Sequence, residues 1–280
     1  MATFSILTFN CFGAPTPATS RRLLTLAHDL DRRDCNVVCL QEVQAHYYRK
    51  LLRDACDTYP SHAYEPFLHA PKGGLLTLAR LPIEGTQFAL YRSREVPAAP
   101  AVMDWMLHKG VLCTRMSCGG TPIVVLNTHL NANYSGDWSP ASRYTRNLHE
   151  QLRQLAETVA AQPPDALVVV TGDFNTPRGS WLLDEFLAAS GMVDPLAGDV
   201  RPTYRPAPGV PARYALPLDF ALVRASTLTG LQLHGDICFG QKVPFVGGRQ
   251  GYLSDHLGVE LRISWLDSAP EVSAAKGYAP

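Results

Sequence analysis

The sequence has no excess of charge of either sign, because 25 lysine and arginine residues balance 25 aspartate and glutamate residues in a chain of 280. Lysine is scarce, with five residues against 20 arginines. Bulk electrostatic binding of nucleic acid requires a strong basic field. The composition therefore does not favour nucleic acid as a partner, although it leaves room for a local basic groove.

Long hydrophobic runs are also missing. No segment approaches the roughly 18 consecutive apolar residues that a bilayer-spanning helix needs, so we expect no transmembrane segment. The first residues, Met1–Ser5, contain neither the basic region nor the apolar region of a cleavable export signal. Apolar residues nevertheless make up 46% of the chain, which excludes a disordered protein and predicts a large buried core.

Cysteines occur without the spacing that disulfide frameworks or zinc sites use. There are seven, an odd number, and no two of them form a Cys-x-x-Cys pair. A chain of this length does not need disulfides to be stable, and a free thiol in an apolar run packs as a small hydrophobic group. We therefore expect reduced, structural cysteines, no zinc site and a cytoplasmic location.

Short apolar runs typical of strands alternate with helical patterns along the chain. Strands are predicted at 4–9, 36–40, 75–79, 111–116, 123–128, 167–170, 218–223 and 257–263, and helices at 19–33, 44–56 and 142–161. Two stretches fit neither pattern, Pro97–Lys109 and the proline-rich Asp194–Pro217, and we predict the second to be a surface excursion. Because strand patterns resume after both, we expect one α/β domain over residues 1–266 and a flexible tail at 267–280.

Polar and acidic residues occur where the predicted strands end or begin. They are Asn10, Glu42, His129, Asp173, Asn175, Asp219, Asp255 and His256. Functional groups converge at the strand ends of layered α/β folds, because the sheet is rigid and its edge is open. We therefore expect these side chains to share one site.

This set of side chains suits the hydrolysis of a phosphoester. Carboxylates and carboxamides without thiolates favour a hard divalent cation, Mg²⁺ or its substitute Mn²⁺, which neutralises charge on a phosphoryl oxygen during attack by water. Two histidines divide the proton transfers, one deprotonating water and one serving the leaving oxygen or the oxyanion. A carboxylate behind an imidazole fixes its tautomer, a role that suits Asp219.

Each residue has a structural alternative when it is taken alone. Asn10 is also a common turn former, Glu42 a favourable first-turn acid of a helix, and His129 a histidine of the kind buried in cores. The segment 172–175 is equally compatible with a tight turn. These alternatives are independent of one another, so the ordered combination favours a functional site.

The combination resembles the endonuclease/exonuclease/phosphatase superfamily of metal-dependent phosphoesterases, which includes DNase I-like nucleases, neutral sphingomyelinases and inositol polyphosphate phosphatases. The motifs occur in the family's order and span residues 8 to 256. They are Thr8-Phe9-Asn10, Leu40-Gln41-Glu42-Val43, Asn127-Thr128-His129-Leu130, Thr171-Gly172-Asp173-Phe174-Asn175, Leu218-Asp219-Phe220 and Ser254-Asp255-His256. The resemblance implies a four-layer α/β/β/α sandwich of two mixed, mainly antiparallel sheets flanked by helices, with the site at the mouth between the sheets.

The resemblance also implies a set of metal ligands. Asn10, Glu42 and Asp255 would hold the cation, and Asp173 would either orient the attacking water or bind metal. Schemes with one metal and with two metals both remain open for this family.

The resemblance further assigns the proton transfers and the substrate contacts. His256 would act as the general base, oriented by Asp219, while His129 would stabilise charge or donate a proton on the opposite side. Some nucleases of the group support this second histidine with a glutamate where the present sequence has Lys72-Gly73-Gly74, so His129 has no evident acidic partner. The candidate substrate contacts are Asn131, Asn175 and Arg178, with further arginines at 143, 146, 201, 205 and 213 near the expected mouth.

Two features resemble the sphingomyelinase-like branch. Lys109-Gly110 precedes a strand as in that branch, and His129-Leu130-Asn131-Ala132 matches a pattern that nucleases share in part. The apolar stretch at 102–107 contains Trp105, which would either contact a membrane interface peripherally or pack on the core. We expect a monomeric, Mg²⁺-dependent phosphodiesterase acting on a phospholipid or sphingomyelin-like head group. The alternatives are a DNase I-like endonuclease or exonuclease and a catalytically inactive binding module on the same fold.

Overall fold

This computed structural model describes residues 1–92 and 108–266. Residues 93–107 and 267–280 lie outside the described residues, and with them the predicted membrane-facing stretch at 102–107 and the predicted tail. No helix within the described ranges has the length and hydropathy needed to cross a membrane.

The chain forms short strands and four described helices. The helices are α1 (Thr19–Asp31), α2 (His46–Asp54), α3 (Arg143–Ala160) and α4 (Trp181–Ser190). The strands are β1 (Ala2–Asn10), β2 (Val37–Gln41), β3 (Ser61–Ala63), β4 (Leu76–Ala79), β5 (Gly85–Leu90), β6 (Gly110–Cys118), β7 (Thr121–His129), β8 (Leu167–Asp173), β9 (Asp219–Arg224), β10 (Gln232–Cys238), β11 (Val243–Pro244), β12 (Gln250–Gly251) and β13 (Gly258–Trp265).

The strands form two large mixed sheets and a small hairpin of β11 and β12. The first sheet has six strands in the order β10-β13-β1-β2-β4-β3, and the second has five in the order β5-β6-β7-β8-β9. Each sheet contains one parallel pair, β1 with β2 and β7 with β8. The other neighbours in the large sheets are antiparallel, which confirms the predicted mixed, mainly antiparallel sheets.

Alternating side chains of β1 show how the layers pack. Phe4 and Ile6 lie in a core between the two sheets, together with side chains of the second sheet such as Val169. Leu7 and Phe9 face the other way and pack with the apolar sides of α1 and α2. Helices α3 and α4 cover the outer face of the second sheet in the same manner. The predicted four-layer α/β/β/α sandwich is confirmed.

Some strands and one helix of the structure were not predicted from the sequence. Strands β5 and β10 lie at sheet edges and have no fully buried side chains, so neither shows an apolar run. Helix α4 does have recognisable ends: the Ser180 side chain accepts a hydrogen bond from the Leu183 backbone N–H, and Gly191 follows with a φ of 66°. These are the usual N-cap and C-terminal signals, and they could have identified this helix.

The proline-rich stretch at 194–217 is more than a surface excursion, and the prediction is wrong for its middle part. Thr203 is fully buried, and Tyr204 forms an isolated antiparallel bridge with His256. This part of the stretch therefore packs against the strand ends where the predicted site lies.

Candidate active site

The ends of the two parallel strand pairs meet at one edge of the sandwich. Asn10 ends β1 and Glu42 directly follows β2, while His129 ends β7 beside Asp173 at the end of β8. Asp219 begins β9 directly opposite Asp173. The Asn10 amide Nδ2 donates to Asp173 Oδ2 at 3.0 Å, so a hydrogen bond joins the two sheets within the site.

His256 and Asp219 form a buried hydrogen-bonded pair. The distance from His256 Nδ1 to Asp219 Oδ2 is 2.9 Å, and both side chains are almost fully buried. With Nδ1–H donating to the carboxylate, Nε2 is the ring nitrogen that faces Asp173, whose Oδ2 lies 3.6 Å away. Burial disfavours the imidazolium of His256, but the carboxylates of Asp219 and Asp173 outweigh that penalty and raise the pKa to about 10.

Asp173 lies at the centre of the site. Its Oδ1 accepts a hydrogen bond from the Asn175 backbone N–H at 2.9 Å, and its Oδ2 faces both histidine rings. Burial raises the pKa of Asp173, while the positive charge of His256 acts in the opposite direction. The carboxylate is therefore held in a fixed orientation between His129 and His256.

Glu42 is held at the mouth by an unusual backbone conformation. Its φ is 57°, a left-handed value that costs free energy for any residue other than glycine. The Gly13 N–H donates to the Glu42 carbonyl at 2.9 Å, and the Val43 N–H donates to the Gly74 carbonyl at 2.9 Å. A Cβ atom on Gly13 would lie 2.0 Å from the Glu42 carbonyl oxygen, so the close approach requires glycine there.

Left-handed backbone conformations are concentrated around this edge. Within the described ranges, the non-glycine residues with positive φ are Phe12, Glu42, His108, Asn175 and Phe239. Two of them, Glu42 and Asn175, are predicted site residues, and Phe12 follows the strand that ends at Asn10. Backbone strain of this kind persists where the surrounding structure enforces it, often at functional sites.

The carboxylates of the site fit a hard divalent cation. Burial raises the pKa of Glu42, and the negative charges of Asp255 and Asp173 raise it further. In the described part of the chain, no lysine or arginine side chain forms an ion pair with these three carboxylates. Crowded oxygen donors with no lysine or arginine partner are a ligand set that Mg²⁺ prefers.

A second candidate group consists of Asp173, Asp219 and His256, whose ligand atoms lie within 4.8 Å of one another. Asp219 Oδ2 and His256 Nδ1 are already joined by a hydrogen bond. The roles of this pair in proton transfer and of Glu42, Asp255 and Asn10 in holding the cation stay predictions.

His129 has a different environment from His256. Its Nε2 lies 3.5 Å from Asp173 Oδ2, and among the described residues its buried Nδ1 has no hydrogen-bond partner. Burial, with smaller effects of the positive charges on Lys109 and His256, holds the pKa of His129 well below its usual range. Lys72, which stands where some nucleases have a glutamate, pairs with Glu65. Among the described residues, the carboxylate that faces His129 is that of Asp173.

Asn175 and Asn131 lie near the end of β7, beside Leu130. The Asn175 Nδ2 donates to the Leu130 carbonyl at 2.9 Å, which orients its amide at the end of β7. Asn131 follows Leu130 directly, and its Nδ2 donates to Asn147 Oδ1 at 2.9 Å. Both side chains are half-buried at the edge of the cleft, and their role as substrate contacts stays a prediction.

Arg178 does not present its charge to the cleft, contrary to the expectation for this residue. Its Nε donates to Asp194 Oδ2 at 2.7 Å, and both side chains are almost fully buried. The guanidinium also packs over the Phe220 ring, 4.6 Å from its centroid, and donates to the Asp219 carbonyl at 3.3 Å. Arg178 thus supports the backbone beneath Asp219.

Arg22 is a site-supporting residue that the sequence analysis did not identify. Its buried guanidinium donates to the backbone carbonyls of Cys11 and Leu253, each at 2.5 Å, and to that of Phe12. It therefore ties the segment after β1 to the segment before Asp255. An arginine on the apolar side of an amphipathic helix was the available signal.

Comparison with known proteins identifies the family. A profile of the Endonuclease/Exonuclease/phosphatase family matches residues 7–256. A Drosophila melanogaster protein named "Putative neutral sphingomyelinase" is 26% identical over 95% of this chain and 62% of its own length. The inositol phosphosphingolipids phospholipase C of Saccharomyces cerevisiae is 29% identical over 64% of this chain and 38% of its own length. The chain thus spans less than two thirds of the length of both relatives.

Solved structures share the fold at low sequence identity. Sphingomyelinase C from Streptomyces griseocarneus superposes with a TM-score of 0.70 at 21% identity, covering 94% of this chain and 99% of that one. TDP2 of D. rerio in complex with a single-strand DNA product gives a TM-score of 0.72 at 18% identity, covering 94% and 100%. A Staphylococcus aureus beta toxin variant with bound magnesium ions gives 0.70 at 16% identity, covering 93% and 99%.

The fold, the order of the motifs along the chain and the family match over residues 7–256 agree with one another. The chain therefore belongs to the Endonuclease/Exonuclease/phosphatase family.

Proposed function

We propose that this protein is a Mg²⁺-dependent phosphoesterase that hydrolyses a phosphodiester bond in the head group of a sphingolipid or a related phospholipid. The observation that carries the proposal is the buried His256–Asp219 pair, which faces Asp173 and the carboxylate cluster at the same edge of the sandwich. The names of the two curated relatives, which both refer to sphingolipid substrates, support the substrate class.

Asn10, Glu42 and Asp255 would hold the cation. A bound Mg²⁺ would neutralise negative charge on a phosphoryl oxygen and position the phosphodiester for attack. The hydrogen bond that Asn10 Nδ2 donates to Glu42 Oε1 at 3.0 Å fixes the orientation of the carboxylate before any ligand arrives. Such preorganisation reduces the free energy that binding must spend on ordering side chains.

In the proposed reaction, His256 accepts a proton from the attacking water through Nε2, while Asp219 stabilises the resulting imidazolium. A cation bound at the neighbouring carboxylates would offset their negative charge and lower the pKa of His256 from about 10, which would make the neutral base available. The water oxygen forms a bond to phosphorus as the bond between phosphorus and the leaving oxygen breaks, and the leaving oxygen takes up a proton from solvent. The depressed pKa of His129 makes its imidazolium scarce at neutral pH. We therefore assign His129 to donating an N–H hydrogen bond to the phosphoryl group rather than to protonating the leaving oxygen.

The net charge and the state of the cysteines support the partners and the location that we propose. The neutral net charge favours a lipid over nucleic acid, and a peripheral membrane contact through residues 102–107 is part of the proposal. All seven cysteines are unpaired in the structure, which supports a reducing, cytoplasmic environment. We propose that the protein acts as a monomer.

A substrate panel with matched metal controls tests this function. Sphingomyelin, lysophospholipids, plasmid DNA, oligonucleotides and a chromogenic bis-phosphodiester are each incubated with Mg²⁺ and then with excess EDTA. We expect the lipid phosphodiesters to be cleaved only with Mg²⁺ and only by protein that retains His256. Hydrolysis that survives His256→Ala unchanged would overturn the mechanism, and failure on every substrate would overturn the substrate class.

A nuclease is the second candidate, because a neighbour of the same fold has been crystallised with a single-strand DNA product. A nuclease that depends on phosphate contacts should lose activity steeply as salt rises. Cleavage of the oligonucleotides in the panel, with strong salt dependence and no lipid hydrolysis, would favour this alternative. A catalytically inactive binding module would bind lipid or DNA and cleave neither.

A further inference from the structure

A short segment of the proline-rich excursion connects the parts of the site. We call this segment, residues 203 to 205, the Thr203–Arg205 strap. Tyr204 pairs with His256 in an isolated antiparallel bridge, and the Leu257 N–H donates to the Thr203 carbonyl at 2.7 Å. The Arg205 N–H donates to the Asp255 carbonyl, also at 2.7 Å. The strap therefore lies directly against the backbone that carries Asp255 and His256.

The same strap fixes the other half of the proton-transfer pair. The hydroxyl of Thr203 is buried and accepts hydrogen bonds from the backbone N–H groups of Leu218, at 2.8 Å, and Asp219, at 3.0 Å. The Arg205 guanidinium donates to the Ser254 carbonyl at 2.9 Å. Three consecutive residues thus set the position of Asp219 relative to His256.

Tyr204 is the residue of the strap that faces the site. Its ring packs against the imidazole of His256, with 5.0 Å between the ring centroids and 46° between their planes. The side chain is half-buried, and its hydroxyl makes no hydrogen bond to any residue in the described ranges. Burial, with the negative charges of Asp255, Asp173 and Glu42, raises the pKa of Tyr204, so the phenol stays protonated and can donate.

We propose that Tyr204 is a substrate-contacting residue, whose ring covers the general base and whose hydroxyl donates a hydrogen bond to the phosphodiester group. The inference rests on the proposed function, because it assigns a further contact within the same site. Its physical basis is that a half-buried donor without a protein partner lies against His256. A neutral donor suits this place, since it can bind phosphate oxygens without forming an ion pair with the carboxylates.

Two variants separate the hydroxyl from the ring. Tyr204→Phe keeps the ring over His256 and removes the donor, so we expect kcat/KM to fall roughly 10- to 100-fold, as for a hydrogen bond to a charged group, with an unchanged pH profile. Tyr204→Leu also removes the aromatic cover, so we expect a further loss and a shifted pH profile of kcat. The matched control is Tyr252→Phe, an exposed tyrosine that contacts Arg205, which should stay within about twofold of wild type.

The proposal fails if Tyr204→Phe is as active as Tyr252→Phe. If Tyr204→Leu does not fold, Tyr204→Phe still tests the role of the hydroxyl, because phenylalanine keeps the ring packed against His256. Thermal unfolding of each variant establishes that a loss of activity is not a loss of folded protein.

A binding measurement separates this proposal from the proposed function. Inorganic phosphate is titrated calorimetrically into wild type and Tyr204→Phe in the presence of Mg²⁺. We expect weaker phosphate binding by Tyr204→Phe even if no substrate in the panel is cleaved. Equal affinities would overturn the role of Tyr204, whereas a lack of hydrolysis with a clear difference in affinity would overturn only the proposed reaction.

Discussion

At the scale of single residues, Asp219 determines which ring nitrogen of His256 carries a proton. Its Oδ2 accepts the hydrogen bond from His256 Nδ1, and the carboxylate is completely buried. Its Oδ1 has no hydrogen-bond partner among the described residues. Among the described residues, the imidazole of His256 is therefore the side-chain hydrogen-bond partner of this carboxylate.

We expect Asp219→Asn to lower kcat by roughly 100- to 10,000-fold, because an amide can donate to Nδ1 and so favours the wrong tautomer. Steady-state kinetics on whichever phosphodiester the wild type cleaves provide the measurement. Asp236→Asn is the control, since Asp236 is an exposed residue of β10 and should leave kcat unchanged. A variant at position 219 with wild-type kcat would exclude Asp219 from proton transfer.

The buried cysteine thiols should make the stability of the protein depend on pH. Burial raises the pKa of Cys11, Cys39 and Cys56 from the ordinary 9.0 to about 12. A pKa raised in the folded state contributes stability that is present below pH 9 and is lost as pH rises towards 12. We expect the melting temperature to fall over this range and Ellman's reagent to label these thiols slowly at pH 8. Rapid native labelling of all seven cysteines would contradict this.

The site could be predicted from the sequence where its residues follow apolar strands, as Glu42 and Asp173 do. Contacts between segments distant in the chain could not be predicted in this way. Arg178 was expected at the mouth, but its partner Asp194 belongs to a loop whose path no local pattern reveals. Tyr204 was missed for the same reason, since its contact with His256 crosses 52 positions of the chain.

At the scale of elements, the turn after β2 depends on glycine. The carbonyl of Glu42 lies so close to Gly13 that a Cβ atom there would be 2.0 Å away, and the hydrogen bond from the Gly13 N–H fixes the same carbonyl. The turn after β2 and the segment after β1 therefore hold one another in place, and with them the Glu42 carboxylate.

We expect Gly13→Ala to lower the free energy of unfolding by about 2–4 kcal/mol, since the backbone must move to relieve the overlap. The displacement should also weaken Mg²⁺ binding. Urea unfolding and calorimetric titration measure the two effects. Gly85→Ala is the matched control, because a Cβ atom at that glycine would meet nothing within 4 Å. Equal stability of the two variants would show that the close approach is not required.

The element predictions succeeded where burial was strong. Strands β1, β2 and β8 are covered on both faces, and such strands carry continuous apolar runs. Edge strands β5 and β10 are half-exposed and depend on pairing with a neighbour, which the sequence alone does not reveal. The fold class was accordingly easier to predict than the full strand order.

At the scale of the whole molecule, the zero net charge conceals a local excess of carboxylates at the site. Placing Glu42, Asp173 and Asp255 together costs free energy in the absence of a cation, because burial and mutual repulsion both raise the pKa of Glu42. Mg²⁺ binding should therefore stabilise the folded protein, by about 2.7 kcal/mol at a concentration 100 times the Kd.

We expect the melting temperature to rise with Mg²⁺ and to return to its starting value with EDTA. Glu42→Gln should raise the melting temperature of the metal-free protein, because it removes one repelling charge, and should abolish most of the Mg²⁺ effect. Differential scanning fluorimetry with Glu84→Gln, an exposed site, as control makes the measurement. A full Mg²⁺ response in Glu42→Gln would remove Glu42 from the ligand set.

The pairing of β1 with β13 has a consequence for protein synthesis. Strand β1 takes β13, the last strand in the described part of the chain, as its antiparallel neighbour, from Ala2 opposite Trp265 to Thr8 opposite Val259. On the ribosome, the first sheet cannot be completed until nearly the whole domain has emerged, because β13 lies between β10 and β1. Since His256 lies two residues before β13, a nascent chain should acquire a complete site only after the residues of β13 have emerged, and products truncated before β13 should be inert.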